Sequence, residues 1–250
     1  MKVVILAGGI GSRIGSITQK IPKPMIKIGK DPILIHIMKI YSFYGHKDFI
    51  ISLGYKSEII KKFFLKKKYK NYVSKKIIQI NNFSKKKWNI LLVETGVNTM
   101  TGGRIKLLKK FIGKETFMFT YGDGVANINI NKLILQHQKT KKIITVSAVR
   151  PIARFGELIL NKNKVTSFVE KPQTTQGWIN GGFFISEPEI FKFIKNKNTV
   201  LEESPLETLS KKKQLMAYLH KGFWRCLDTV RDLESLNLLW KQKKAYWKIW

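Results

Sequence analysis

The segment that follows the first predicted strand combines glycines with an arginine, a pattern that suits a phosphate ligand. It runs from Leu6 to Arg13 with the sequence LAGGIGSR. Glycines at the carboxyl end of a strand let backbone N–H groups face phosphates, and the guanidinium of Arg13 can bind a phosphate with two parallel hydrogen bonds. The dinucleotide fingerprint would need glycine where Ile14 stands, and the Gly-Lys-Ser/Thr ending of a P-loop does not follow. A tight turn without a ligand would explain the glycines but not the adjacent arginine.

A lysine between two prolines is the second candidate for chemistry. Pro22, Lys23 and Pro24 follow one another, and each proline restricts its own backbone and that of the residue before it. Lysine alone carries little information in this chain, because 41 of the 47 positively charged residues are lysines and only six are arginines. The flanking prolines distinguish Lys23, and they predict a positive charge that is held in one place.

Two aspartates are candidates for a metal site. Asp123 stands in the segment TYGDG, directly after an apolar strand, and Asp228 stands just before a predicted helix. A carboxylate at the carboxyl end of a strand is well placed to hold Mg²⁺, which prefers oxygen ligands and brings phosphates with it. Asp123 could instead be a turn residue. Asp228 could be the N-cap of the helix that follows, and its position alone favours this second role.

The elements that must position these residues alternate between strands and helices. Strands are predicted at 2–6, 48–53, 76–80, 89–94, 116–120 and 143–149, with helices at 33–44, 57–67, 103–111 and 130–139. After residue 150 the rhythm changes, with short strands predicted at 156–160, 165–169, 179–185 and 214–219 and helices at 187–195 and 230–241. This order predicts an α/β fold with a Rossmann-like, mostly parallel mixed sheet and helices on both faces. We expect one domain, 1–250, whose C-terminal portion completes the sheet and builds a pocket.

The net charge of +31 invites a nucleic-acid function, but the distribution of the charge argues against it. The lysines are dispersed, and no zinc-finger spacing, RNP-like motif or basic heptad region accompanies them, so they predict nonspecific attraction only. Hydrophobic residues make up 44% of the chain, which excludes intrinsic disorder, and a single cysteine excludes a disulfide framework. No apolar run reaches the roughly 18 residues of a membrane span. We therefore expect a cytoplasmic globular protein without a specific nucleic-acid or membrane partner.

Taken together, the segments LAGGIGSR, PKPM and GDG resemble those of the sugar-nucleotide pyrophosphorylases, which are nucleotidyltransferases that act on sugar 1-phosphates. Within that class, the segments MTGGR (100–104), INGGFF (179–184), GFW (222–224) and WKIW (247–250) resemble the glucose-1-phosphate cytidylyltransferases. The resemblance covers essentially the whole chain. It implies transfer of a cytidylyl group from CTP to α-D-glucose 1-phosphate, giving CDP-glucose and pyrophosphate, for nucleotide-sugar and surface-polysaccharide (O-antigen) biosynthesis. Another nucleotide (UTP, dTTP or GTP), another sugar 1-phosphate, or a nucleic-acid binder on the same fold remain alternatives.

The resemblance also implies roles for individual residues. In it, 1–150 is the nucleotide-binding portion and 151–250 the sugar-phosphate-binding portion. Catalytic roles fall to Arg13 and Lys23, and Mg²⁺ ligation to Asp123 and Asp228. The substrate-binding residues it implies are Leu6, Ala7, Gly8, Gly9, Ile10, Gly11, Ser12, Arg13, Lys23, Thr99, Arg104, Gly122, Glu170, Lys171 and Asn180.

The resemblance implies a homo-oligomer with active sites near the subunit contacts. The tryptophans near the end of the chain, Trp240, Trp247 and Trp250, fit either a subunit interface or a packed terminus.

Overall fold

The computed structural model describes residues 1–11, 14–15, 17–65, 71–74, 76–152, 156–169 and 177–250, with the backbone alone at 71–74, 157 and 160. The strands are β1 (Val3–Leu6), β2 (Lys27–Ile28), β3 (Asp31–Pro32), β4 (Asp48–Leu53), β5 (Asn71–Ser74), β6 (Ile77–Phe83), β7 (Trp88–Glu94), β8 (Phe117–Tyr121), β9 (Gly124–Ala126), β10 (Ile144–Val149), β11 (Glu157–Asn161), β12 (Lys164–Val169), β13 (Ile179–Ser186), β14 (Leu215–His220) and β15 (Trp224–Cys226). The α-helices are α1 (Ile33–Phe43), α2 (Ser57–Leu65), α3 (Thr101–Leu107), α4 (Lys109–Ile112), α5 (Ile130–Thr140), α6 (Ser204–Lys211) and α7 (Val230–Lys241). Short 3-10 helices occupy Lys23–Met25 and Pro188–Lys192.

One nine-stranded sheet organises the fold, with the strand order β14-β10-β13-β8-β1-β4-β7-β6-β5. Strands β13 and β6 run antiparallel to both of their neighbours, and the other seven strands share one direction. The predicted α/β fold with a mostly parallel mixed sheet is therefore confirmed. Strands β10, β13 and β14 extend the sheet beyond β8, so segments from both portions of the chain belong to the same sheet.

The central strand β1 is apolar throughout because helices cover both of its faces. Val3 and Ile5 join one core cluster, which α1 and α7 help to build, while Val4 and Leu6 join a second cluster that includes residues of α3 and α6. All four residues of β1 are buried, as expected for a strand inside a two-sided sheet. Two packed faces hold the carboxyl end of β1, and hence the glycine segment after it, in a defined position.

Two helical predictions differ from the structure, and one helix was not predicted. The helix predicted at 187–195 is only the 3-10 helix Pro188–Lys192, because its backbone hydrogen bonds span three residues, as from the Phe193 N–H to the Ile190 carbonyl at 3.0 Å. The helix predicted at 103–111 begins earlier and divides at Leu108 into α3 and α4. Helix α6 was not predicted. No helix among the described residues is both long and apolar enough to cross a membrane.

The tryptophans near the end of the chain pack around a buried histidine on α1. The rings of Trp240, Trp247 and Trp250 lie 5.1, 6.1 and 5.8 Å from the ring of His36. Trp247 Nε1 donates to His36 Nδ1 at 3.2 Å, so Nδ1 is unprotonated and the proton is on Nε2, which donates to the Ile28 carbonyl at 3.0 Å. Trp247 is fully buried, so this segment forms a packed terminus of the core.

This arrangement predicts a pH dependence of stability. Burial lowers the pKa of His36 below its ordinary value, so the unfolded chain binds a proton at mildly acidic pH that the folded chain excludes. The free energy of unfolding should therefore be fully maintained above about pH 6.5, the unfolded pKa, and fall as the pH decreases below it. Urea denaturation at pH 7.5 and pH 5.0 measures the loss, which should be smaller in His36→Gln. An equal loss in both proteins would contradict the role of His36.

Candidate active site

A cavity of about 910 Å³ opens at the carboxyl ends of β1 and β8. Every predicted site residue that the structure describes lines it: Leu6, Ala7, Gly8, Gly9, Ile10, Gly11, Lys23, Thr99, Arg104, Gly122, Asp123, Asn180 and Asp228. The predicted residues Ser12, Arg13, Glu170 and Lys171 lie outside the described residues. Because β13 runs antiparallel to β8, its first residues lie at the same edge of the sheet, which brings Asn180 to the cavity. Residues from six separate segments of the sequence thus share one cavity.

Lys23 is held at the cavity by its backbone and by burial. It begins the 3-10 helix Lys23–Met25 with Pro22 as the extended N-cap, as two prolines around one lysine favour. Its carbonyl accepts the N–H of Ile26 at 3.1 Å, and Gly11, at φ +69°, passes close to its side chain. The lysine is only 8% exposed, which is rare for this residue type without charged partners.

The pairing of two short strands brings the two candidate metal ligands together. Strands β9 and β15 pair antiparallel, with Gly124 opposite Cys226. The N–H of Leu227 donates to the carbonyl of Asp123 at 2.8 Å, which continues the pairing by one step. Asp123 and Asp228 therefore flank the same point, although they are distant in the sequence.

Lys23 joins the two carboxylates into one ionic cluster. Its Nζ lies 2.7 Å from Asp123 Oδ2 and also binds Asp228 Oδ1. Burial acts to lower the pKa of Lys23, but the charges and hydrogen bonds of Asp123 and Asp228 outweigh it and hold the pKa above its ordinary value. The ammonium therefore stays charged at neutral pH. Since it has three protons and binds two carboxylates, a third donor remains for an anionic ligand.

The donor set of this cluster suits Mg²⁺. Among the described residues no three His, Cys, Asp or Glu side chains converge into a closed metal site, so the candidate consists of two carboxylates. Mg²⁺ is commonly held by one or two carboxylates together with substrate phosphates and water. Asp123 and Asp228 already bind one cation between them, the Lys23 ammonium. This arrangement is consistent with such a site.

The helix-cap interpretation of Asp228 is wrong. The N-cap of α7 is the next residue, Thr229, whose side chain accepts the backbone N–H of Asp232 while the Asp232 carboxylate accepts the backbone N–H of Thr229 at 2.8 Å. This reciprocal capping box satisfies the start of the helix without the Asp228 side chain. The carboxylate of Asp228 instead binds Lys23 Nζ at the cavity.

Arg104, on α3, binds oxygen atoms of three loops at the edge of the sheet. Its Nη2 donates to the carbonyl of Gly8 at 2.8 Å, after β1. Its Nη1 donates to Leu53 at the end of β4 and to Thr95 and Gly96 after β7, at 3.2, 2.7 and 2.9 Å. Burial lowers the pKa of Arg104 to about 10, which still leaves the guanidinium charged at neutral pH. Its described contacts are thus with the protein, and its contact with a nucleotide stays a prediction.

Gly8→Ala should destabilise the protein strongly, because a Cβ at this position would lie 2.1 Å from Arg104 Nη1. Displacing a buried, charged hydrogen-bonding group should lower the free energy of unfolding by about 3 kcal/mol or more. Urea denaturation measures this loss. Gly9→Ala is the matched control, since a Cβ there meets no atom within 4 Å. Equal stability of the two variants would contradict the proposed packing of Arg104.

Several residues of the cavity were not predicted individually as site residues. They include Thr101, Tyr121, Glu202 and Trp224. Thr101, Tyr121 and Trp224 belong to the MTGGR, TYGDG and GFW segments, so the motifs themselves pointed to them. Glu202 lies outside every motif, and only the three-dimensional arrangement places it here.

The fold and this site define the class of protein. The nucleotidyl transferase family model matches residues 2–243, and the chain belongs to that family. The resemblance seen in the motifs is thereby confirmed. Nucleotidyltransferases of this family generally use a divalent metal ion.

The names of two full-length relatives are more specific than that of the family. The chain is 43% identical over 255 residues to the probable glucose-1-phosphate cytidylyltransferase of Bacillus subtilis (strain 168), with 100% of both chains covered. It is 43% identical over 261 residues to the glucose-1-phosphate cytidylyltransferase of Salmonella typhimurium (strain LT2), again with 100% of both covered. The crystal structure of HddC from Yersinia pseudotuberculosis complexed with GMP-PN is similar in fold, with a TM-score of 0.71 and 26% identity over 96% of this chain and 99% of that chain.

Proposed function

We propose that this protein transfers the cytidylyl group of CTP to α-D-glucose 1-phosphate, releasing pyrophosphate and forming CDP-glucose. The observation that carries the proposal is the cluster of Lys23, Asp123 and Asp228 inside the cavity that the glycine segment lines. Such a cluster suits the meeting of two phosphate compounds and a divalent cation. The choice of CTP and glucose rests on the two relatives that match the chain over its full length.

The chemistry requires positioning and charge neutralisation more than proton transfer. A phosphate oxygen of glucose 1-phosphate attacks the α-phosphorus of CTP, and the bond from that phosphorus to the bridging oxygen of pyrophosphate breaks. The attacking oxygen is already ionised, so no general base is needed. The third N–H of the Lys23 ammonium would donate a hydrogen bond to the phosphate under attack and offset its negative charge. Arg104 would act indirectly by holding the backbone of the loops that line the nucleotide side.

Covalent catalysis by the single cysteine is disfavoured. Cys226 lines the cavity, but burial, together with the charge of Asp228, raises the pKa of its thiol to about 12. The thiol is therefore protonated at neutral pH and is a poor nucleophile. Its Sγ lies 3.7 Å from Asp228 Oδ2, so the S–H is a weak donor to that carboxylate.

Asp123 and Asp228 would hold Mg²⁺. When bound, the ion would offset the negative charge of the phosphates and of the leaving pyrophosphate. The two carboxylates come from segments that the β9–β15 pairing locks together, so their separation is set before any ligand arrives.

The decisive experiment measures pyrophosphate release with each nucleoside triphosphate in turn, with Mg²⁺ and glucose 1-phosphate present. We expect release with CTP, and none when glucose 1-phosphate is omitted. Release with UTP, dTTP or GTP instead would assign a different nucleotidyltransferase. Release with none of them, across several sugar 1-phosphates, would reject the enzyme and favour the nucleic-acid binder, which a steep salt dependence of nucleic-acid affinity would then support.

The remaining predictions concern the protein's organisation. We propose that 1–250 act as one nucleotidyltransferase domain, with the nucleotide bound mainly by 1–150 and the sugar phosphate by 151–250. The homo-oligomer and the role in surface-polysaccharide biosynthesis stay predictions of the resemblance, and the cytoplasmic location stays a prediction of the composition. Light scattering on the purified protein tests the first of these.

A further inference from the structure

A chain of hydrogen bonds crosses the wall of the cavity through Glu202, a residue that no motif contains. On one side Thr101 Oγ1, at the start of α3, donates to Glu202 Oε2 at 2.6 Å. On the other side the hydroxyl of Tyr121, at the end of β8, donates to Glu202 Oε1 at 2.5 Å. Asn180 Nδ2, near the start of β13, in turn donates to the Tyr121 oxygen at 3.0 Å. All four residues line the cavity.

The carboxylate sets the direction of every bond in this chain. An ionised carboxylate only accepts hydrogen bonds, so the single proton of Tyr121 must point to Glu202. Because the hydroxyl donates directly to Glu202 Oε1, its proton is not available to Asn180. The Tyr121 oxygen can then only accept from its other neighbour, which requires the NH₂ group of Asn180 to face it.

The second polar group of Asn180 is fixed from the opposite side. Its Oδ1 accepts the backbone N–H of Gly182 at 2.8 Å. Gly182 adopts φ +80°, a conformation that favours glycine. The amide therefore cannot turn over without placing its oxygen against the Tyr121 oxygen and its NH₂ against the Gly182 N–H. One proton of Nδ2 remains for a ligand in the cavity.

We propose that Glu202 is a positioning residue for the sugar phosphate, acting through Tyr121 to fix the amide orientation of Asn180. The exposed side chain of Asn180 then presents its remaining amide proton to a hydroxyl oxygen of a hexose 1-phosphate. This inference rests on the proposed function for the identity of the ligand. The orientation of the amide follows from the hydrogen bonds alone.

The test compares Michaelis constants for the two substrates in Glu202→Gln and Tyr121→Phe. Each variant weakens or removes a hydrogen bond that fixes the orientation of the Asn180 amide. Each should therefore raise the KM for glucose 1-phosphate about tenfold, as for one lost hydrogen bond. The KM for CTP should change by less than about threefold. Glu203→Gln is the matched control, since Glu203 is an exposed neighbour and its substitution makes the same charge change. A rise in the KM for CTP equal to that for the sugar phosphate would overturn the proposal.

A double-mutant cycle separates positioning from simple structural support. If Glu202 acts through Asn180, then adding Glu202→Gln to Asn180→Ala should raise the KM for glucose 1-phosphate by less than about twofold. If the double variant instead shows the product of the two single effects on this KM, the proposal is overturned. In ¹⁵N-labelled protein without substrates, Glu202→Gln should also shift the side-chain amide resonances of Asn180, and unchanged resonances would likewise overturn it. This last measurement does not depend on turnover, so it separates failure of the positioning role from failure of the proposed function.

Discussion

Lys23→Ala should lower the turnover number for pyrophosphate release by about 100-fold or more. The lysine is buried, fixed between two prolines, and held above its ordinary pKa by two carboxylates, so its charge is present and in place before substrates bind. Removing a preorganised charge from a site where two phosphate compounds react should affect turnover much more than substrate affinity. Steady-state kinetics with CTP, glucose 1-phosphate and Mg²⁺ measures the effect.

Two controls make this result interpretable. Lys27→Ala removes an exposed lysine four residues away on β2 and should retain normal turnover. Circular dichroism of Lys23→Ala should show the native spectrum, which would exclude loss of the fold as the cause. Near-normal turnover in folded Lys23→Ala would reject its catalytic role.

Asp228→Ala should abolish Mg²⁺-dependent turnover, with a loss comparable to that of Asp123→Ala. Both carboxylates bind Lys23 Nζ, and β9–β15 pairing places them at the same point of the cavity. Removing either one would take away a proposed metal ligand and leave Lys23 with one partner fewer. Turnover measured over a range of Mg²⁺ concentrations tests this prediction, with Mn²⁺ binding to the free protein as a readout that does not require activity.

Thr229→Ala is the matched variant for Asp228, because it removes the true cap of α7. It should lower the free energy of unfolding by about 1 kcal/mol and leave turnover unchanged. The opposite outcome, full activity in Asp228→Ala with a loss of about 1 kcal/mol, is what a helix cap would give and would remove Asp228 from the metal site.

Arg104 lines the cavity as predicted, but its partners there are protein atoms. A planar fork among glycines suggests a phosphate or carboxylate ligand. In the structure both terminal nitrogens of the fork bind protein oxygens from three loops, including the carbonyl of Gly8. The glycine at position 8 leaves the space that the guanidinium fills. The glycine segment and Arg104 are therefore parts of one packed unit.

The chemistry-bearing motifs and the alternation of strands and helices are properties of the sequence itself, because they depend on residues close together along the chain. Apolar runs such as Val3–Leu6 and the prolines around Lys23 act locally, and the apolar runs predicted the mostly parallel sheet. The individual residues of the cavity were implied by the resemblance of the motifs, and they make up half of its lining. The local pattern was wrong at 187–195, where only the 3-10 helix Pro188–Lys192 forms.

The contacts of Asp228, Arg104 and Glu202 were decided by the tertiary structure, whereas the resemblance had implied roles for Asp228 and Arg104 only. Lys23 meets Asp123 and Asp228 across 100 and 205 residues of sequence, and Tyr121 meets Glu202 across 81. Such contacts depend on strand order and register, which bring distant carboxylates and donors within hydrogen-bond distance. A residue's type shows which bonds it can make, and the folded sheet determines which partners are present to make them.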